Sequence, residues 1–459
     1  MQRIFAIAGL TLLAAFRYRL VLVLTALLVG SVVVLPLIIK HDGTARGFTQ
    51  ILMTYTLTAI TALLGFATLW LACGTLAREV EECQIQMVAV KPIARWEIWL
   101  GKWLGILALN ALLLGVSSGA VYVVMQWRAS KLSPEQQTIL RNEVLVARAS
   151  AKEPVPDFEE DVERLLQERL KEASVAAMDR KFVRDQIRER VKTQIQYVPP
   201  GYRRTWRIDL SGVKDALRDQ PIYLRAKFFT AQYSASGTFQ AFWEIGPPES
   251  NRLHREEMSL APETFHEFRV PPNLLDDQGV LLVRFINPNE TALLFPPEDG
   301  FEVLYREGGF GLNYVRGIGI IFCWLALLAA LGLAAASSLS FPVATFLALG
   351  ILIVAFSTGT LSQVIEEGGI TGVDTNTGQV ENPLWIDSIT VFLFKTVLKV
   401  INLVQDFSPV SLLSTGRSIT WGMLGLAVVQ ICVLMGGIFA AIGISLFNRR
   451  ELATAQGNQ

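Results

Sequence analysis

Three observations predict an α-helical polytopic membrane protein that carries one inserted domain of different texture. Hydrophobic residues make up 51% of the 459-residue chain and the mean hydropathy is positive, more than a soluble protein of this length needs. Apolar runs near residues 20–39, 48–76, 98–125, 314–336, 341–363 and 420–447 each supply the roughly 20 residues that cross a hydrocarbon core of about 30 Å, so six spans are expected. Between the third and fourth runs, residues 127–312 abandon the apolar pattern, first for charged helical periodicity and then for short alternating stretches.

The first element is "MQRIFAIAGLTLLAAFRYR". It has the outline of a signal peptide, yet it lacks a cleavage site and leads through Arg17 and Arg19 into a full-length span. An uncleaved amphipathic helix on the cytoplasmic membrane surface is expected. Cations gather at Arg3, Arg17 and Arg19 before the first span, at Arg78, Lys91, Arg95 and Lys102 around the second connection, and at Arg449 and Arg450 after the last span. By the positive-inside rule both termini face the cytoplasm and residues 127–312 lie outside it, with only Lys40 and Arg46 opposing the bias. The first membrane half is then residues 1–126 and the second is 313–459. Between the last two spans, residues 384–406 form an apolar stretch with Lys395 and Lys399 one turn apart, which suits a helix lying in the membrane interface.

Within the insertion, residues 127–199 predict a helical stalk. Phe158, Val162, Leu165, Leu166 and Leu170, and then Phe182, Ile187, Val191 and Ile195, recur at three-to-four spacing. From 200 to 312 the runs "TWRIDL", "IYLRAKFFTAQ", "GTFQAFWEI", "TFHEFRV" and "GVLLVRFIN" alternate and are punctuated by Gly, Pro, Asn and Asp. That spacing predicts an antiparallel β-sandwich of the jelly-roll kind. Trp206, Phe228, Phe239, Trp243, Phe268 and Phe285 are assigned mainly to its core, because they alternate with charged neighbours such as Arg207 and Lys227.

Several function classes find no support. Forty-one basic residues balance 41 acidic ones, and no basic stripe interleaved with aromatics appears, so nucleic acid is not an expected partner. The four cysteines avoid the insertion and the three histidines are scattered singly, so neither a disulfide framework nor a metal site is expected. The Gly-Lys pair Gly101-Lys102 is followed by Trp103, not by the Ser or Thr of a phosphate loop. No catalytic arrangement and no cofactor are expected in this chain. Polar groups inside the spans are few: Thr54, Thr58 and Thr61 share one helical face, with Asn110 in the third span and Gln430 in the sixth. These are the candidates for lining a translocation path. Gly101/Gly105 and Gly115/Gly119 have the small-xxx-small spacing of close helix packing.

One cytoplasmic stretch stands apart. "AREVEECQIQMVAVKPIARWEIWLGKWLG", residues 77–105, joins an amphipathic acidic helix, a proline corner at Pro92 and a cationic, Trp-rich entry to the next span. Trp96, Trp99 and Trp103 suit a membrane interface. Lys91, Arg95 and Lys102 are suited to lipid phosphates or to acidic residues of a partner. The stretch resembles the first cytoplasmic loop of type-2 ABC exporter permeases, above all those of multicopper-enzyme maturation systems, in Glu82, Lys91, Pro92, Arg95, Gly101, Lys102 and Gly105. The tail "LFNRREL", residues 446–452, adds to the likeness.

This resemblance implies a permease subunit of the bacterial cytoplasmic membrane that pairs with a second permease. Separate ATPase subunits would bind ATP and Mg²⁺. It implies that residues 79–97 form the coupling helix, with Glu79, Glu82, Lys91, Pro92, Arg95, Glu97 and Lys102 at the ATPase contact. Residues 127–312 lie outside the likeness. A non-transporting scaffold or receptor that displays the β-sandwich is the alternative expectation.

Overall fold

A computed structural model describes residues 2–17, 19–38, 44–85, 93–154, 157–170, 180–230, 232, 236–247, 252–297, 299–371, 380, 384–405 and 407–450. The chain divides into two units, one formed by Met1–Val146 with Gly309–Gln459 and the other by Ala147–Gly308.

The first unit opens with helices α1 (Gln2–Arg17), α2 (Arg19–Ile38), α3 (Ala45–Glu81), α4 (Arg95–Ala129) and the short α5 (Pro134–Ile139). Thr44 starts α3 by accepting a hydrogen bond from the Gly47 amide at 3.0 Å, which satisfies one of the amides every helix start leaves open. At about 1.5 Å per residue, the 37 residues of α3 extend about 55 Å. That exceeds the hydrocarbon core, so α3 projects beyond it. The helix stops at Glu81, and Cys83 turns the chain with φ 57°, a left-handed conformation unusual for a residue with a side chain. The acidic helix expected before Pro92 is therefore interrupted at residues 82–85, and residues 86–92, with Lys91 and Pro92, lie outside the described residues.

Helix α1 does not stand free. A Cβ at Gly101 would come within 2.7 Å of Ile7, and one at Gly105 within 2.7 Å of the Ala8 carbonyl and of Thr11. The Gly101/Gly105 pair is thus a notch into which α1 is pressed, and the small-xxx-small motif receives its partner from the start of the chain. A Cβ at Gly115 or Gly119 would meet no other part of the described residues within 4 Å.

The second unit is a sandwich with a helical insertion. Its elements are β1 (Val146–Ala151), α6 (Glu159–Arg169), α7 (Arg180–Gln196), β2 (Tyr197–Val198), β3 (Arg203–Asp209), α8 (Lys214–Leu217), β4 (Ile222–Ala226), β5 (Phe229–Thr230), β6 (Phe239–Ile245), β7 (His254–Leu260), β8 (His266–Val270), β9 (Val280–Ile286), β10 (Leu293–Leu294) and β11 (Phe301–Gly309). Two four-stranded sheets run β1-β11-β4-β8 and β3-β9-β6-β7, with a small third sheet β2-β10-β5. Apart from the β6–β7 hairpin, strands that neighbour one another are far apart in sequence, as in a Greek-key winding.

Alternation decides the faces. Phe239, Ala241, Trp243 and Ile245 of β6 point inward, as do Leu281, Val283 and Phe285 of β9. The sheets meet through rings: Trp206 of β3 stacks on Phe301 of β11 at 4.5 Å, and Trp243 on the same ring at 5.8 Å. The aromatic residues expected in the core are there, with Phe268 partly buried. The boundary differs from the expected one, because β1 precedes the helices yet belongs to the sheet. The hairpin α6–α7 is therefore inserted within the sandwich. Its own small core joins Val162 and Leu166 to Val183, Ile187 and Val191.

The first unit resumes with α9 (Phe310–Ala336), α10 (Phe341–Phe356), α11 (Thr358–Glu367), α12 (Trp385–Gln405), α13 (Pro409–Ser414), α14 (Trp421–Ala427) and α15 (Gly436–Arg449), the last two joined by a π-helical stretch Val428–Met435. Among the described residues four helical stretches are long and apolar enough to cross a membrane: Gly47–Glu81, Arg95–Ala129, Phe310–Ala336 and Trp421–Arg449. A fifth crossing is available if Phe341–Phe356 and Thr358–Ile365, bent by 62°, act as one. Of the six expected runs, 20–39 falls in α2, whose apolar stretch Val23–Leu35 is shorter than the others. This is a membrane protein by length and composition of its helices.

Helix α9 is the centre of the unit. Its apolar window is 67% buried against 22% for the last span, and a Cβ at Gly332 would lie 2.7 Å from Ala72 of α3. Outside the spans, Asp387 pins the start of α12. It is fully buried and accepts hydrogen bonds from the Ile370 and Leu384 amides at 2.9 Å, the Thr371 amide at 3.2 Å and the Thr371 hydroxyl at 2.5 Å.

Candidate functional site

The candidate site is the end of the helical unit at which α3 hands over to α4. Helix α4 begins with a half-made cap: Ala94 offers no side-chain acceptor, but the Glu97 carboxylate reaches back to the Ala94 amide at 3.0 Å. Glu97 also lies 3.9 Å from the Arg3 guanidinium of α1. Two turns into α4, Lys102 is buried. Its ammonium donates to the Glu79 carboxylate at 2.6 Å and to the Thr75 carbonyl at 3.1 Å, both on α3.

Arg95 points the other way. Its guanidinium donates to the carbonyls of Phe447, Asn448 and Arg450 at 2.5, 2.9 and 2.8 Å. These carbonyls lie at the end of α15, where a helix runs out of its own backbone donors. Arg450 repeats the device one helix further on, donating to the Ala336 carbonyl at 3.1 Å, where α9 ends. Burial pushes the Arg450 guanidinium below the usual arginine range, and the Glu81 carboxylate acts in the opposite direction. Glu81 itself accepts from the Phe341 amide at 2.8 Å, the first residue of α10. Glu81 and Arg95, on either side of the connection, tie the ends of α3 and α4 to α10 and α15, and Arg450 after α15 ties on the end of α9, all through charge-assisted hydrogen bonds, which are about twice as strong as neutral ones.

This placement revises the expected roles. Lys102 and Arg95, expected at lipid or at a partner, are both consumed inside the chain. Glu79 is the partner of Lys102 and Glu97 the cap of α4. Trp99 is fully buried, packed so closely that a Cβ on Gly443 of α15 would lie 2.8 Å from its indole nitrogen. Trp103 donates to the Ala326 carbonyl of α9 at 3.0 Å. Of the three tryptophans only Trp96 is exposed. Among the described residues exposed at this end are Glu82, Cys83 and Gln84, together with Trp96, Asn448 and Arg449.

The polar residues of the expected path do not form one lining. Thr58 is exposed, Thr54, Thr61 and Gln430 are half-buried, and Asn110 is buried, accepting from the Thr68 hydroxyl at 3.0 Å. Thr68 itself lacked a signal, since threonine in a span reads first as a residue bonded to its own helix. Thr56 does that, donating to the Leu52 carbonyl. Among the described residues no three His, Cys, Asp or Glu side chains gather as metal ligands do. The chain matches no protein-family model, no curated protein and no solved structure.

Proposed function

We propose that this chain is the membrane subunit of an ATP-driven exporter of the ABC type, acting with a second membrane subunit and separate ATPase subunits. The observation that carries this reading is the clamp at the α3–α4 connection. The ends of α10 and α15 are tied to the two sides of the connection and the end of α9 is tied to the end of α15, so a displacement imposed there by a partner reaches α9, at the centre of the apolar packing. In this reading ATP and Mg²⁺ reside on the ATPase. The bent α10–α11 pair and α2 supply the crossings beyond four, both termini face the cytoplasm of a bacterial inner membrane, and the β unit lies on the far side.

The internal use of Arg95 and Lys102 shifts the ATPase contact to Glu82–Gln84 and the segment after it. The same fact favours the competing reading, a scaffold or receptor that displays the sandwich, because cations spent inside a chain are not available to a partner.

The test is purification of the tagged full-length chain from its source, followed by identification of bound proteins carrying a phosphate-loop motif and by assay of ATP hydrolysis in lipid. Glu82→Lys should weaken ATPase retention by about fivefold, the ~1 kcal/mol typical of an exposed ionic contact, with thermal unfolding unchanged. Recovery of no such ATPase, or full retention by Glu82→Lys together with unaltered hydrolysis, turns the assignment toward the scaffold.

A further inference from the structure

A groove runs between α2, α3 and α10, with a cavity of about 240 Å³ and an almost wholly apolar lining. Its α3 wall is Leu63, Phe66, Ala67 and Trp70, one helical ridge. Leu27 of α2 and Leu349 of α10 close the sides. The chain does not fill it: Phe66 and Trp70 remain 56% and 44% exposed. Beyond Trp70 the same ridge continues to a cation. The Trp70 ring meets Phe341 edge-on at 5.2 Å, Phe341 lies against Gly74, and the Arg78 guanidinium sits over the Phe341 ring, 4.1 Å from its centroid. The nearby Glu81 carboxylate is engaged by the Phe341 amide. Among the described residues no carboxylate pairs with Arg78.

The dimensions identify what fits. Fifteen residues separate Leu63 from Arg78, about 22 Å at 1.5 Å per residue. Half of a bilayer of about 40–45 Å, headgroups included, is about 20–22 Å. An acyl chain lying against Leu63, Phe66 and Trp70 therefore brings its phosphate to the level of Arg78. We propose that this groove is a binding site for one anionic phospholipid, its chain held between α2, α3 and α10 and its phosphate met by Arg78. The site depends on the membrane character of the helices and not on whether the chain exports anything.

The full-length chain, stripped of lipid in detergent, would be titrated with phosphatidylglycerol and the retained lipid counted by native mass spectrometry. Arg78→Gln should weaken the tightest lipid at least about fivefold, the ~1 kcal/mol that one cation contributes near anionic headgroups. Ala67→Trp, which fills the groove without touching charge, should abolish that lipid. Diacylglycerol, with chains and no phosphate, should bind wild type and Arg78→Gln alike. Arg449→Gln removes an exposed cation from the same end of the unit and should leave affinity within about twofold. Equal losses at Arg78 and Arg449 would mean diffuse electrostatic adsorption and would overturn the site, as would unchanged binding by Ala67→Trp. Should Ala67→Trp fail to fold, Leu27→Trp fills the groove from its exposed wall and should abolish the same lipid; unchanged binding by that variant overturns the site equally.

Discussion

The tightest geometric statement in the helical unit concerns Gly101 and Gly105, and it is testable by adding one methyl group. A Cβ at Gly101 would lie 2.7 Å from both Cβ and Cγ2 of Ile7 and 3.0 Å from the Ile4 carbonyl. At Gly105 it would lie 2.7 Å from the Ala8 carbonyl. Backbone atoms and branched carbons cannot swing aside, so α1 must shift as a body. Overpacking of this kind costs about 1–3 kcal/mol, while replacing glycine by alanine within a helix returns about 0.5–1 kcal/mol. Gly115 lies in the same helix, where an added Cβ meets none of the described residues within 4 Å, so Gly115→Ala receives the gain without the cost.

The difference between Gly101→Ala and Gly115→Ala isolates the packing term, at about 1–3 kcal/mol. The double variant at Gly101 and Gly105 should lose less than the sum of the singles, because one shift of α1 relieves both clashes. The assay is unfolding of the full-length chain in mixed micelles, followed by helical circular dichroism. If Gly101→Ala and Gly115→Ala agree within about 0.5 kcal/mol, the resolution of additivity for separate sites, α1 is not seated in the glycine notch.

Two further outcomes follow from the remaining geometry. The hydrogen bonds from the Thr371 hydroxyl and the surrounding amides hold the Asp387 carboxyl below the usual aspartate range. Its contribution is therefore complete above the unfolded value of about 4 and is lost as pH falls through the lower folded value. Amide exchange at Ile370 and Thr371 should accelerate in that acid window, and Asp387→Asn should show fast exchange already at neutral pH. Residues 147–308 expressed alone should be soluble with a mixed β and helical spectrum, since the unit has its own core. Residues 200–308 should unfold more readily, having lost β1 from the edge of its sheet. Equal stability of the two fragments refutes the placement of β1.

What the sequence made readable, and what it concealed, differ by physical cause. The sandwich core was readable because period-two alternation gives each ring a side: Trp243 sits between Phe242 and Glu244, and only one face can be dry. Strand β1 was hidden because "VARASA" is small and polar-spiced, and its burial depends on β11, some 150 residues later in the chain. The bend after Phe356 was hidden because hydropathy counts residues without regard to axis. "FSTGT" keeps the run apolar enough to count while Ser and Gly provide the local means to kink.

The coupling loop shows the same limit in its charges. A cation at a span end has three uses, a lipid phosphate, an acidic partner or the open carbonyls of a neighbouring helix, and its position in sequence is the same for all three. Arg95 takes the third, with acceptors 352–355 residues away, and no local pattern announces an arrival so distant. Lys102 is settled by Glu79, 23 residues earlier, a separation that fits neither helical nor strand spacing because the chain turns between them. Arg78, on the same helix as Glu79, lies over the Phe341 ring, two turns beyond Trp70 of the groove. Three cations that look alike in sequence thus divide into a helix cap, a buried ion pair and a lipid contact. It is the helices packed beside each that decide which role it takes.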